Sequence, residues 1–228
     1  MIPGIYKLID GSLVHEQKYD IVSNNLANLS TEGFKKDLIS FHRILTMQNM
    51  TAIDFSPGPV RHTGNTLDVA LDTPGFFKVQ TPRGTRYTRD GSFRINAERI
   101  LVTQNGDPVI GQTGPIQIDG NDIKIAPDGG VIVDDAMVDR MSVVDFEQTE
   151  QLKKENKSCY VYQGDERDAA SAEAVSVQQG YLEESNVNPT EEMIKLIETY
   201  RACETAQKAI QVFDEINSKL ISEAATTQ

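Results

Sequence analysis

Side chains able to do chemistry are present in this chain, but nowhere are they grouped as a reaction would need them. Two adjacent acidic pairs, Asp134-Asp135 and Glu183-Glu184, come nearest to a general acid and base. In an extended segment neighbouring side chains point to opposite faces, so neither pair would converge on one substrate. The histidines His15, His42 and His62 are scattered, away from any cysteine or carboxylate cluster of ligand spacing. Cys159 and Cys203 form no CxxC pair, and Cys203 reads as a small buried hydrophobe. No G-x-S-x-G, phosphate-cradling glycine loop or H-E-x-x-H occurs. The expectation is a chain with no catalytic residue, metal site, cofactor or small-molecule substrate.

Charge is uneven along the chain. Residues 78–99 hold six basic side chains (Lys78, Arg83, Arg86, Arg89, Arg94, Arg99) against Asp90 and Glu98. Residues 134–173 hold eleven acidic side chains against five basic. Either these stretches meet between neighbouring copies, or they are two solvated faces of one domain. Tyr87 and Phe93 among the arginines raise single-strand nucleic-acid stacking, but a net charge of −12 argues against it. The same charge disfavours adsorption to an anionic membrane, and no apolar run is long enough to insert in one. The first twenty residues are broken by Lys7, Asp10, Glu16, Lys18 and Asp20, unlike a cleaved secretory signal. The chain is therefore expected to be cytoplasmic or to leave by a route that needs no such signal.

The elements that would carry any function sit at the two ends. An apolar seam runs through Ile5, Leu8, Ser12, His15, Tyr19, Val22, Leu26 and Leu29, at spacings of three and four. A second runs through Met193, Leu196, Tyr200, Cys203, Ala206, Ile210, Phe213, Ile216 and Leu220. Asn24, Asn25 and Asn28 weaken the end of the first helix, and Gly33 can take a left-handed conformation beyond it. A second short helical stretch is expected from about Leu38 to Met50. Asn188, Pro189 and Glu191 form the start of a helix reaching to about residue 221. Between the ends, short alternating runs such as Leu67-Val69-Leu71 and Ile123-Ile125 are separated by turn residues, the pattern of strands.

The expected fold class is α+β: long terminal helices pairing as a coiled-coil-like layer and flanking a central all-β, sandwich or barrel-like domain. The expected domains are 1–55 with 180–228 as a discontinuous helical assembly domain, 56–147 as the β-domain, and 148–179 as an extended return segment.

Three blocks resemble a known family. Asn24-Asn25-Leu26-Ala27-Asn28, then Thr31, Gly33, Phe34 and Lys35, resembles the N-terminal signature of bacterial flagellar rod and hook proteins. Thr63-Gly64-Asn65, Leu67-Asp68-Val69-Ala70, Gly75-Phe76-Phe77 and Tyr87 to Phe93 resemble their middle. Gln179 to Pro189, with Glu192-Met193, Arg201 and Glu204, resembles their C-terminal signature. Leu29-Ser30 and Cys203 depart from the usual pattern. Gly4-Ile5-Tyr6 and the modest length are nearer the proximal-rod members than the longer distal-rod ones.

The resemblance implies a structural subunit of the flagellar rod. It implies export through the flagellar type III apparatus without a cleaved signal, then helical stacking with itself and other rod proteins in the periplasm. The assembly surface it implies comprises Ile5, Leu8, Tyr19, Val22, Asn24, Asn25, Leu26, Asn28, Leu29, Gly33 and Phe34 at one end. At the other it comprises Asn186, Asn188, Met193, Tyr200, Arg201, Cys203, Ile210 and Phe213. The amides of Asn24, Asn25 and Asn28 would fix register in a packed helical layer. The alternatives are a distal-rod or hook-like subunit, or an enzyme acting on cell-wall glycan.

Overall fold

A computed structural model of the chain describes residues 2–39, 51–165, 169–171 and 175–226. The chain divides into two compact units that alternate along the sequence: 1–27, 37–52 and 188–228 form one, and 28–36 with 53–187 the other.

The first unit is built on two helices, α1 (Ile2–Ala27) and α2 (Pro189–Thr226). The cap expected for α2 forms: the Thr190 and Glu191 amides donate to Asn188 Oδ1 at 3.0 and 3.3 Å. Glu191 and Glu192 lie in its first turn, at the positive end of the helix dipole. Asn25, near the end of α1, meets Glu192 near the start of α2, and Tyr19 shares a groove with residues 196–204. The two helices therefore run antiparallel. Leu38 and Ile39, placed in a helix by the sequence reading, lie in a short strand (Asp37–Ile39) that pairs with Thr51–Ile53. The rest of that expected helix, 40–50, lies outside the described residues.

The coiled-coil-like pairing expected of the terminal helices is not what forms. A coiled coil buries its repeating seam in the facing helix. Here Tyr19, Met193, Tyr200, Phe213 and Ile216, all seam positions, are exposed, and Val22 is buried. At the contact that closes the pair the buried groups include Asn25, Glu192 and Thr199, which are polar. The helices also differ in length, 26 residues against 38, so part of α2 has no facing turn of α1.

The second unit is β-rich. A six-stranded antiparallel sheet has the order Leu152–Lys154, Cys159–Tyr162, Gly84–Thr88, Phe76–Thr81, Val143–Phe146, Ala169–Ser171. A three-stranded sheet joins Ala136–Arg140, Gly130–Val133 and Ile123–Ile125. Shorter pairs link Val177–Gln179 to Val69–Leu71 and Tyr181–Glu183 to Val60–His62.

Adjacent Phe76 and Phe77 project to opposite faces of their strand, so each feeds a different core. Phe77 packs with Val69, Val79, Phe93, Leu101 and Ile116. Phe76 packs with Tyr87, Phe146, Leu152 and Tyr160. Residues 148–179, read as an extended return segment, contribute strands to this unit. Charged side chains such as Lys153 fill one face there while Leu152 and Tyr160 fill the other, which hides the strand signal in a polar stretch.

Candidate assembly surfaces

In the helical unit the deepest polar contact is built on Asn25, which is 1% exposed. Its Nδ2 donates to Glu192 Oε2 at 3.1 Å and to the Asp37 carbonyl at 3.0 Å, and its Oδ1 accepts from the Asp37 amide at 2.9 Å. Glu192 Oε1 accepts from Lys195 Nζ at 2.8 Å. Burial works to lower the Lys195 ammonium, but its bonds to Glu191 and Glu192 prevail and raise it. Every polar atom of the Asn25 amide is matched: two bonds tie the end of α1 to Asp37 and the third ties it to Glu192, the bond a sliding of α1 past α2 would break.

Beyond that contact α2 carries two exposed apolar patches. Met193, Ile197 and Tyr200 form one, Val212, Phe213 and Ile216 the other. At about 100° per residue they lie roughly 140° apart around the helix, and at about 1.5 Å per residue some 25 Å apart along it. Glu204 and Lys208, ion-paired at 2.7 Å, stand between them.

The signature residues after α1 belong to the β unit. Gly33 takes φ 64°, and a Cβ there would lie 2.4 Å from the Asp90 amide nitrogen. Only glycine lets this backbone approach so closely. Phe34 follows, buried, with the Lys154 ammonium 4.0 Å from its ring centre. Lys35 is wholly buried and its Nζ meets Glu183 Oε1 at 2.6 Å and the Ser56 carbonyl at 2.7 Å. Glu183 also accepts from the Gly58 amide at 2.8 Å and lies 3.4 Å from Arg89 Nη1. The Arg89 guanidinium stacks 5.4 Å from the Phe76 ring centre. Burial pushes both Lys35 and Arg89 below their usual ranges, and the shared carboxylate opposes it. Asn186 completes this clasp: its Oδ1 accepts from the Lys36 amide at 2.8 Å and its Nδ2 donates to the Asp54 carbonyl at 2.9 Å.

The sequence-derived assembly residues therefore fall into several environments. Tyr19, Met193, Tyr200, Arg201 and Phe213 are exposed on the helices, as is Asn24, while Leu26, Cys203 and Ile210 are half-buried there. Val22 and Asn25 are buried in the helical unit, and Asn188 caps α2. Asn28, Gly33 and Phe34 are buried in the β unit, where Leu29 and Asn186 are half-buried. The side chains of Ile5 and Leu8 lie outside the described residues. Lys35, Arg89 and Glu192 escaped the sequence reading as structural charges. Lys35 and Glu192 stand inside the signatures, and a charge held within an apolar motif was the available signal.

The reactive-looking groups are engaged locally. Asp134 and Asp135 are not extended: they form a hairpin turn at φ 50° and 63°. Asp134 accepts from the Asp122 amide and Asp135 pairs with Lys124. Glu184, on the face opposite Glu183, bonds Arg61 at 2.8 Å. Burial pushes the Cys159 thiol up to about 11, leaving it protonated at neutral pH. His62 packs edge-on against Tyr181, and His42 lies outside the described residues. Arg83 and Arg86, from the basic stretch, both bind Glu155 of the acidic one, so the two stretches meet within a single unit.

Three family models match the chain in order. They are the flagella basal body rod protein over residues 15–35, the flagellar hook protein FlgE/F/G D1 domain over 70–133, and the flagellar basal body rod FlgEFG protein C-terminal over 178–223. The chain is 34% identical over 236 residues to the flagellar basal-body rod protein FlgF of Caulobacter vibrioides, covering 96% of each. The chain belongs to the flagellar basal-body rod protein family. This rod protein is 30% identical to FlgF of Mesorhizobium japonicum, over 90% of each chain. It is 31% identical to the rod protein FlgG of Buchnera aphidicola subsp. Schizaphis graminum, over 96% of this chain and 99% of that one. It is a structural component of the flagellar basal body, and its signature residues are those that form the Asn25 contact and the Lys35–Glu183 clasp.

Proposed function

We propose that this rod protein occupies the proximal rod, polymerising helically through its terminal helices with copies of itself and with other rod proteins as part of the drive shaft. The observation that carries this is the pair of exposed apolar patches on α2. A helix that leaves Ile197 and Tyr200 in water on one face and Phe213 on another presents surface suited to neighbouring subunits. Proximal placement is supported by the 34% identity to the Caulobacter vibrioides FlgF protein over 96% of each chain. A distal-rod role is the second reading, favoured by the near-complete coverage of the Buchnera FlgG protein.

The proposed subunit is not an enzyme. Its assembly residues are Tyr19, Leu26, Met193, Tyr200, Arg201 and Phe213 on the helices, together with the seam positions Ile5 and Leu8. Val22, Asn25, Asn28, Gly33, Phe34 and Asn186 shape the units that present them. Export through the flagellar type III apparatus without a cleaved signal, and a periplasmic site of assembly, complete the proposal. The test is to delete the gene and isolate basal bodies. Rods interrupted near their base and restored by the wild-type gene support proximal placement. Rods complete at the base but lacking their outer part favour the distal reading. Measurable turnover of peptidoglycan by purified protein would overturn the non-enzymatic assignment.

A further inference from the structure

Between α1 and α2 lies an apolar groove of about 280 Å³, walled by Tyr19, Leu196, Ile197 and Tyr200 with Arg201 and Glu204 at its rim. We propose that a second copy of this chain fills it with the distal apolar patch of its own α2, Val212, Phe213 and Ile216. This rests on the reading of the chain as a rod subunit and specifies which of its surfaces meet.

Three observations select that occupant. The distal patch cannot reach the groove of its own chain: both lie on one continuous helix, about 25 Å apart and on different faces. Its apolar surface is open, with Val212 at 53%, Phe213 at 42% and Ile216 at 47% exposure, in the part of α2 far from the Asn25–Glu192 contact. Charge at the two surfaces is also complementary. Asp214 and Glu215 follow Phe213, while at the groove rim Arg201 stands exposed and the acidic Glu204 is already ion-paired to Lys208, so the rim as a whole is positive.

Groove and patch are different surfaces of one molecule, so the contact is heterologous. Each copy that donates a patch leaves its own groove open for the next. Such a contact propagates rather than closing as a two-fold dimer. The two surfaces lie roughly 140° apart around α2 and about 25 Å apart along it, so each added copy is both turned and advanced relative to the last, the condition for a helical array.

The test uses full-length protein and two variants at exposed positions, Arg201→Glu at the groove and Phe213→Ser at the patch. Unchanged circular dichroism and thermal unfolding establish that each is folded. Wild type should grow in mass with concentration in sedimentation velocity, and each variant alone should associate at least about tenfold more weakly. Mixing the variants should restore one contact, between the intact groove of Phe213→Ser and the intact patch of Arg201→Glu. The mixture therefore yields heterodimers that do not elongate.

Elongation by Phe213→Ser as strong as wild type, a mixture no larger than its parts, or wild type that remains monomeric up to millimolar concentration overturns the proposal. Basal bodies from cells carrying each variant separate this from the reading beneath it. Normal incorporation of both variants sinks the groove contact alone. Normal rods in cells lacking the gene sink the assignment as a rod subunit.

Discussion

At the residue scale the chain's strongest charges hold the protein's own backbone in place. Glu183 serves two cations and one amide in a site closed to water, so replacing it leaves Lys35 and Arg89 buried without their counter-ion. Glu183→Gln should lower the stability of the β unit by about 3–5 kcal/mol in urea unfolding. Gly33→Ala should cost about 2 kcal/mol or more, because the added methyl meets Asp90 backbone at a φ that L-residues avoid. Glu155 gives a pH signature. The Arg86 and Arg83 guanidiniums hold its carboxyl at about 2, below its ordinary 4.5. A carboxyl depressed on folding stabilises above its unfolded value and loses that contribution as pH falls through the folded one. The stability advantage of wild type over Glu155→Gln should therefore be full above pH 4.5 and fade towards pH 2, read by acid titration of near-ultraviolet circular dichroism.

At the element scale, the ends of the chain were the legible part. Asn188-Pro189 announced a helix start through local chemistry, and the Asn188 side chain caps it. The seams announced helices for the same reason, since periodicity is a local property. Their mode of pairing was not legible. Whether Tyr19 or Tyr200 is covered depends on where the facing helix lies, and spacing alone does not carry that. The strand at 152–154 was hidden because its lysines make an edge strand read as polar, and the one at 159–162 because it is a four-residue run set among polar residues. Of the candidate surface, the signature asparagines were found by motif, but their environments differ: Asn25 is buried in one unit and Asn28 in the other. Asn25→Ala should destabilise the helical unit by about 1–3 kcal/mol and speed amide exchange in the last turns of α1. Unchanged exchange there would mean the contact does not hold the helix end.

At the scale of the whole molecule, a net charge of −12 sets copies against one another while apolar patches draw them together. Self-association should therefore strengthen as salt is raised from low to physiological ionic strength, measured by light scattering. Weakening with salt would show that ion pairs between copies dominate. The division of the chain has a consequence in time as well. Residues 28–36 are part of the β unit, yet Lys35 finds its carboxylate 148 positions later, and Lys36 finds Asn186 after 150. The chain made first is among the last to be fixed. Any copy synthesised from its N-terminus must wait for residue 187 before the β unit can close, so folding is slow to commit and a half-made chain stays pliable.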